Sequence, residues 1–289
     1  MARLPESLDV LRRREFRLLF GAQAVSVLGD RMVAVALAFA VLEIGGSAAD
    51  VGLVLAAGVF PLVGSVVVGG VVADRASRRA VMVGADLVRV ASQGTMAALL
   101  IAGAADVWML ALLAGVTGTA TGFFDPASTG LLPELVPAAQ LQPANALRSS
   151  AISAGEILGP LAAGLLVATA GAGWAIAADA ATFAVSAPCL VLLRVPTRVA
   201  AGTRSFVADL RDGWVAFRSR RWVWTVVAYV AIGNIVWGAW NGLGPVVADR
   251  DLGGAAAWSI VLAAAGVAHW RAACSRPRST RAGRCCSSP

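Results

Sequence analysis

The chain has 289 residues, 58% of them hydrophobic and 14% charged, and a formal net charge of +7. Soluble domains are about 45–50% apolar and about 25% charged, so these proportions exclude a water-soluble globule and point to helices packed in lipid. All 24 basic residues are arginine, and they fall between apolar runs where loops belong, which argues against nucleic-acid binding as the source of the charge.

Apolar runs of about 20 residues, the length that crosses a bilayer, recur along the chain. The first is predicted over Leu18–Leu42, the second over Val51–Ala73, the third over Ala80–Gly103 and the fourth over Val107–Phe124. The fifth covers Asn145–Ala170, the sixth Trp174–Leu193 and the seventh Trp222–Ala248, and an eighth begins near Ala255 and fades after Trp270. Ala22-Gln23-Ala24 opens the first run instead of closing it, so no cleaved signal peptide is expected.

Arginine sets the expected orientation. Arg12, Arg13 and Arg14 precede the first run, Arg75, Arg78 and Arg79 follow the second, and Arg194, Arg198 and Arg204 follow the sixth. The alternate loops hold Glu43, Asp50 and Asp106. This is a positive-inside pattern with a cytoplasmic N-terminus.

Four segments result. Residues 1–194 form a six-span bundle, 195–221 a linker, 222–268 one further span and part of another, and 269–289 a basic tail. In the linker, Phe206, Leu210, Trp214 and Phe217 form one apolar stripe. That stripe fits a helix lying on the membrane surface or one packed against the bundle. After Val267 the chain has no Val, Ile, Leu, Met or Phe, and it holds three of the four cysteines. The change fits an out-of-frame reading or a disordered basic tail. No metal site is expected, since His269 is the only histidine and the cysteine spacing matches no zinc pattern.

Two motifs carry the functional reading. The first is Gly70-Val71-Val72-Ala73-Asp74-Arg75-Ala76-Ser77-Arg78-Arg79, a charged loop between the second and third runs. The second is Gly155-Glu156-Ile157-Leu158-Gly159-Pro160-Leu161-Ala162-Ala163-Gly164 in the fifth run, whose small residues favour close helix contact and whose proline permits a bend. The first resembles the loop signature of the major facilitator superfamily, with Ser77 where that family usually has glycine. The second resembles its antiporter signature, with Ala163 as the one departure. The stretch Phe123-Phe124-Asp125-Pro126 to Asn145 is similar to the branch holding enterobactin-type siderophore exporters and macrolide-efflux proteins.

The resemblance implies an all-α membrane transporter with a six-helix N-terminal bundle and an incomplete C-terminal half. It implies proton-coupled efflux of a small amphipathic molecule by alternating access, with the bilayer, the substrate and protons as partners and no cofactor. The alternative is a non-transporting remnant of such an exporter. Oligomeric state stays open. An enzyme is not expected, because no Gly-x-Ser-x-Gly elbow or histidine pair is present. Gly70, Asp74, Arg75, Arg78, Arg79 and Asp125 would form the cytoplasmic gate, with Gly70 letting two helices approach and Arg78 pairing with Asp125. Gly155, Gly159, Pro160 and Gly164 would form the packing signature.

Charges inside the runs need partners or water, since an ionised side chain at mid-bilayer costs at least ~2.5–3.5 kcal/mol. Asp30, Arg31, Arg89, Glu156 and Asn234 are the candidates for a proton-coupling cavity, Asp30 first among them. Asp86 and Arg89 lie three apart on one helix and can touch. For each of these charges an internal ion pair that fixes helix packing is the competing reading.

Overall fold

The computed structural model describes residues 6–195 and 218–274, together with residue 215. The linker stripe and the chain beyond Cys274 lie outside the described residues. Every long element is a helix: α1 (Arg14–Glu43), α2 (Ala48–Arg75), α3 (Arg78–Ile101), α4 (Val107–Leu135), α5 (Leu141–Ala170), α6 (Ala172–Val191), α7 (Arg221–Val247) and α8 (Ala255–Cys274). By length and composition α1, α2, α4, α6 and the segment containing α5 suffice to cross a bilayer. Asp86, Arg89, Ser92 and Gln93 make α3 more polar, and all four are buried among its neighbours.

Local chemistry sets the helix starts. Ser47 and Asp50 form a capping box at the start of α2. Ser77 caps α3, its hydroxyl accepting from the Ala80 N–H, so the residue standing where the resembled loop signature has glycine serves as an N-cap. At the α5–α6 junction Gly171 takes a positive φ of 94°, which a side chain there would disfavour.

Helices α1 and α5 open a turn earlier than predicted, and two helix ends run on past their predicted stops. The α4 helix does not stop at Phe124 but continues through Asp125, Pro126 and Pro133 to Leu135. The α8 helix runs on to Cys274, past the expected fading at Trp270.

The six N-terminal helices close into one bundle. Contact passes from α2 to α4, α3, α6, α1 and α5 in turn. Shifting α1, α2 and α3 onto α4, α5 and α6 maps this pairing onto itself. Corresponding helices open at Arg14 and Val107, at Ala48 and Leu141, and at Arg78 and Ala172. The bundle is therefore a three-helix unit used twice, the arrangement that places transporter sites at the repeat interface. The α8 helix packs on α5, and α7 leans on α1 and α2.

Glycines fix the closest approach, between α2 and α4. A Cβ on Gly118 would strike the Gly58 backbone, and one on Gly69 would stand 2.5 Å from the Gly122 carbonyl oxygen. Gly70, expected to allow this approach, has nothing within 4 Å of its Cβ position. Successive helical residues point about 100° apart, so a one-residue difference turns the small face from α4 to open space.

Candidate functional site

Between α1, α2, α3, α4 and α5 lies a cavity of about 590 Å³. Its walls are mainly apolar, with Val33, Leu37, Val54 and Leu62 among them, and five charged side chains enter it: Asp30, Arg31, Arg89, Asp125 and Arg148. Asp30, Arg31 and Arg89 were expected there from sequence. Asp125 was expected at the gate, and Arg148 was missed. Arg148 lies inside the predicted fifth run, near its polar start, and was not singled out among the charges within the runs.

Each arginine has a partner. Arg31 leaves α1 toward α5 and stands 3.4 Å from Glu156. Arg89 is buried, 3.5 Å from Asp86, with its guanidinium over the rings of Phe124 at 4.6 Å and Phe183 at 5.0 Å. Arg148 donates to the Ser128 hydroxyl at 3.1 Å and acts electrostatically on Asp125. Asp30 lies within Coulombic reach of Arg89, Asp125 and Arg31, and no direct ion pair ties it to any of them among the described residues.

A second cavity of about 490 Å³ shares Arg31, Ala34 and Leu55 with the first and continues past Glu156 and Pro160 to α8. Asn234 lies within α7; its side chain is outside the described residues. Gly155 and Gly159 pack on α1 against Val27, Leu28 and Arg31, whereas Gly164 packs on Ser259 of α8. Pro160 lies buried inside α5 and lines the second cavity.

The charged loop forms a separate anchor at one end of the bundle. Arg78 pairs with Asp74 at 2.9 Å, with Glu134 at 3.1 Å, and with the Gly130 carbonyl. The expected Arg78–Asp125 pair is not formed. Because α4 extends to Leu135, Glu134 is the acid that reaches the loop, and Asp125 stays deeper, facing the cavity. Arg79 donates to the Val191 and Leu193 carbonyls at 3.3 and 2.7 Å, satisfying acceptors that the end of α6 leaves open. Arg75 closes α2.

Buried polar side chains also bridge α3 and α6, a feature absent from the sequence reading. The Ser186 hydroxyl donates to Asp86 at 2.6 Å, and Gln93 Nε2 donates to Asp179 at 3.0 Å.

A sequence profile of the major facilitator superfamily matches residues 19–282. The chain belongs to the major facilitator superfamily. Superfamily membership makes it a multi-pass membrane protein and a member of a transporter family, not of an enzyme family. It is 24% identical over 236 residues to macrolide efflux protein A of Streptococcus pyogenes, covering 81% of this chain and 58% of that protein. It is 30% identical over 164 residues to multidrug efflux pump Tap of Mycolicibacterium fortuitum, covering 55% of this chain and 40% of that pump. The chain thus spans 58% of the length of the first of these relatives and 40% of the second. The crystal structure of the POT family transporter PepTSo superposes with a TM-score of 0.55 at 17% identity, over 92% of this chain and 55% of that one. At that identity the likeness concerns the fold alone. The resemblance to the macrolide-efflux branch is borne out by the first of these matches.

Proposed function

We propose that this chain serves the export of a small amphipathic molecule of the macrolide kind by proton-coupled alternating access. The observation that carries the reading is the cavity: apolar walls hold Asp30 and Asp125 open to it, with the buried Arg89 behind them within Coulombic reach. Apolar walls suit an amphipathic substrate, and a carboxyl without a tight ion pair is free to exchange a proton as access alternates. Asp30 is the coupling residue. Glu156 is held by Arg31 and Asp86 by Arg89, so each would have to break a pair first.

The anchor around Arg78 is the cytoplasmic gate in this reading, and the N-terminus faces the cytoplasm. The arginine-rich ends of α2 and α6 support that orientation, because Arg79 joins them at one end of the bundle.

The test is uptake of a radiolabelled macrolide into inverted vesicles from cells producing the chain, with and without an imposed proton gradient. Gradient-driven uptake by the wild type, lost in Asp30→Asn and partly kept in Asp30→Glu, is the expected result. Undiminished uptake by Asp30→Asn would move the coupling role to Glu156. A wild type that inserts normally yet takes up nothing would favour the non-transporting alternative.

A further inference from the structure

The α3–α6 interface contains the same polar bridge twice. Asp86 and Gln93 lie on α3, Asp179 and Ser186 on α6, with equal spacing on each helix. The helices run antiparallel, so each aspartate meets the other helix's polar partner: Asp86 accepts from Ser186 and Asp179 from Gln93. Both aspartates are fully buried. The two bridges differ in their donor, a hydroxyl for Asp86 and an amide for Asp179, and in the charge that accompanies them. Three residues after Asp86 stands Arg89, which pairs with it. Three residues after Asp179 stands Thr182, whose hydroxyl donates to the Asp179 carbonyl oxygen and brings no charge.

Pairing the arginines of the bundle interior isolates this difference. Arg31 pairs with Glu156 and Arg89 with Asp86, while Asp125 feels Arg89 and Arg148 through space without a direct pair. Among the described residues Asp30, Asp125 and Asp179 have no direct ion pair, and Asp125 lines the cavity as Asp30 does. Asp30 opens into the cavity and water can compensate it. Asp179 is sealed, its Oδ1 has no hydrogen-bond partner, and it lies against Gly29, where a Cβ would collide with that oxygen. The charged groups facing it are Asp30 from α1 and Arg89 from α3, while α5 turns Arg148 and Glu156 elsewhere. A buried carboxylate in that position takes a proton rather than keep its charge. Its partner is suited to this. An amide can donate through its nitrogen to a carboxylate or, rotated, accept through its oxygen from a carboxylic acid, which an arginine cannot do. Gln93 Oε1 is likewise without a partner.

We propose that Asp179 is a second proton-binding site of this bundle, set behind Asp30 across the Gly29 backbone, and that it exchanges its proton as the bundle opens. The proposal deepens the coupling role assigned to Asp30, but its test does not need transport.

Infrared difference spectroscopy of the purified full chain, stepped from neutral to alkaline buffer, reads protonated carboxyl groups by their C=O stretch. The expected result is a carboxylic-acid band at neutral pH that vanishes reversibly in alkali, is absent in Asp179→Asn and persists in Asp30→Asn. A band that persists in Asp179→Asn, or its absence from the wild type, overturns the site. A band that never titrates while the fold survives overturns the exchange. Should Asp179→Asn fail to fold, Gln93→Met retains the carboxyl and removes its partner: the band must move to higher frequency, and an unmoved band overturns the proposal. Loss of macrolide uptake is scored separately, so failure of the Asp30 reading and failure of this one are distinguishable.

Discussion

Arg78 at the start of α3 meets Glu134 near the end of α4 at 3.1 Å, with only 13% and 23% of the two side chains exposed. This contact ties the first three-helix unit to the second, since the loop before Arg78 belongs to one and α4 to the other. Partly buried pairs of this kind couple by about 0.5–3 kcal/mol, whereas residues without a shared contact add independently. A double-mutant cycle of Arg78→Gln with Glu134→Gln, read by thermal unfolding in detergent, is expected to show coupling in that range. The parallel cycle with Asp125→Asn is expected to show coupling within ~0.5 kcal/mol of zero. The opposite ranking would return Asp125 to the gate.

Gly69 and Gly70 are neighbours with opposite surroundings. Gly69 presses on the α4 backbone at Gly122, whereas a Cβ on Gly70 would meet nothing within 4 Å. Gly69→Ala is expected to cost about 1–3 kcal/mol, because backbone on backbone has no side chain to yield. Gly70→Ala is expected to be neutral or to stabilise by up to ~1 kcal/mol through helix propensity. Unfolding midpoints of the two variants in one detergent decide between them.

Most of the bundle could be read from the sequence because lipid demands it. An apolar run must be long enough to cross, and arginine gathers at one side, so α1 to α8 emerge from length and charge alone. The end of α4 did not, since Asp125-Pro126 looks like a helix stop. In the bundle, packing outweighs that local signal and Glu134 becomes the loop's partner. The internal repeat was also hidden. It is held by a few spaced positions, such as Asp86 and Asp179, while the residues between them need only be small and apolar. In the cavity, Asp30, Arg31 and Arg89 were legible as charges inside apolar runs. Arg148 was not, although it lies within the fifth run, because its polar neighbours Asn145, Ser149 and Ser150 resemble a helix end.

Glu43 ends α1 and takes the Ala172 N–H on both carboxylate oxygens at 3.1 Å. It thereby caps α6 from another helix, satisfying a donor that the start of α6 leaves open and placing negative charge at its positive end. Glu43→Ala is expected to lower stability by about 1 kcal/mol, and Glu43→Gln by less, since the amide oxygen still accepts. Equal losses in the two variants would show that the charge, not the acceptor, matters.

Arg89 tests whether shape or charge holds the centre of the bundle. Its planar guanidinium lies over two aromatic rings while reaching Asp86. Lysine keeps the charge but is a compact ammonium that cannot cover both rings and the carboxylate together. Desolvated cation–π contacts contribute up to about 2 kcal/mol, so Arg89→Lys is expected to lower stability by roughly 1–2 kcal/mol despite the retained charge. Arg89→Gln should cost more, because it leaves Asp86 with no cation in a fully buried position, and losing one partner of a buried pair costs about 3–5 kcal/mol. If lysine were as stable as arginine in unfolding measurements, the rings would be simple packing and the pair with Asp86 alone would set the requirement at this position.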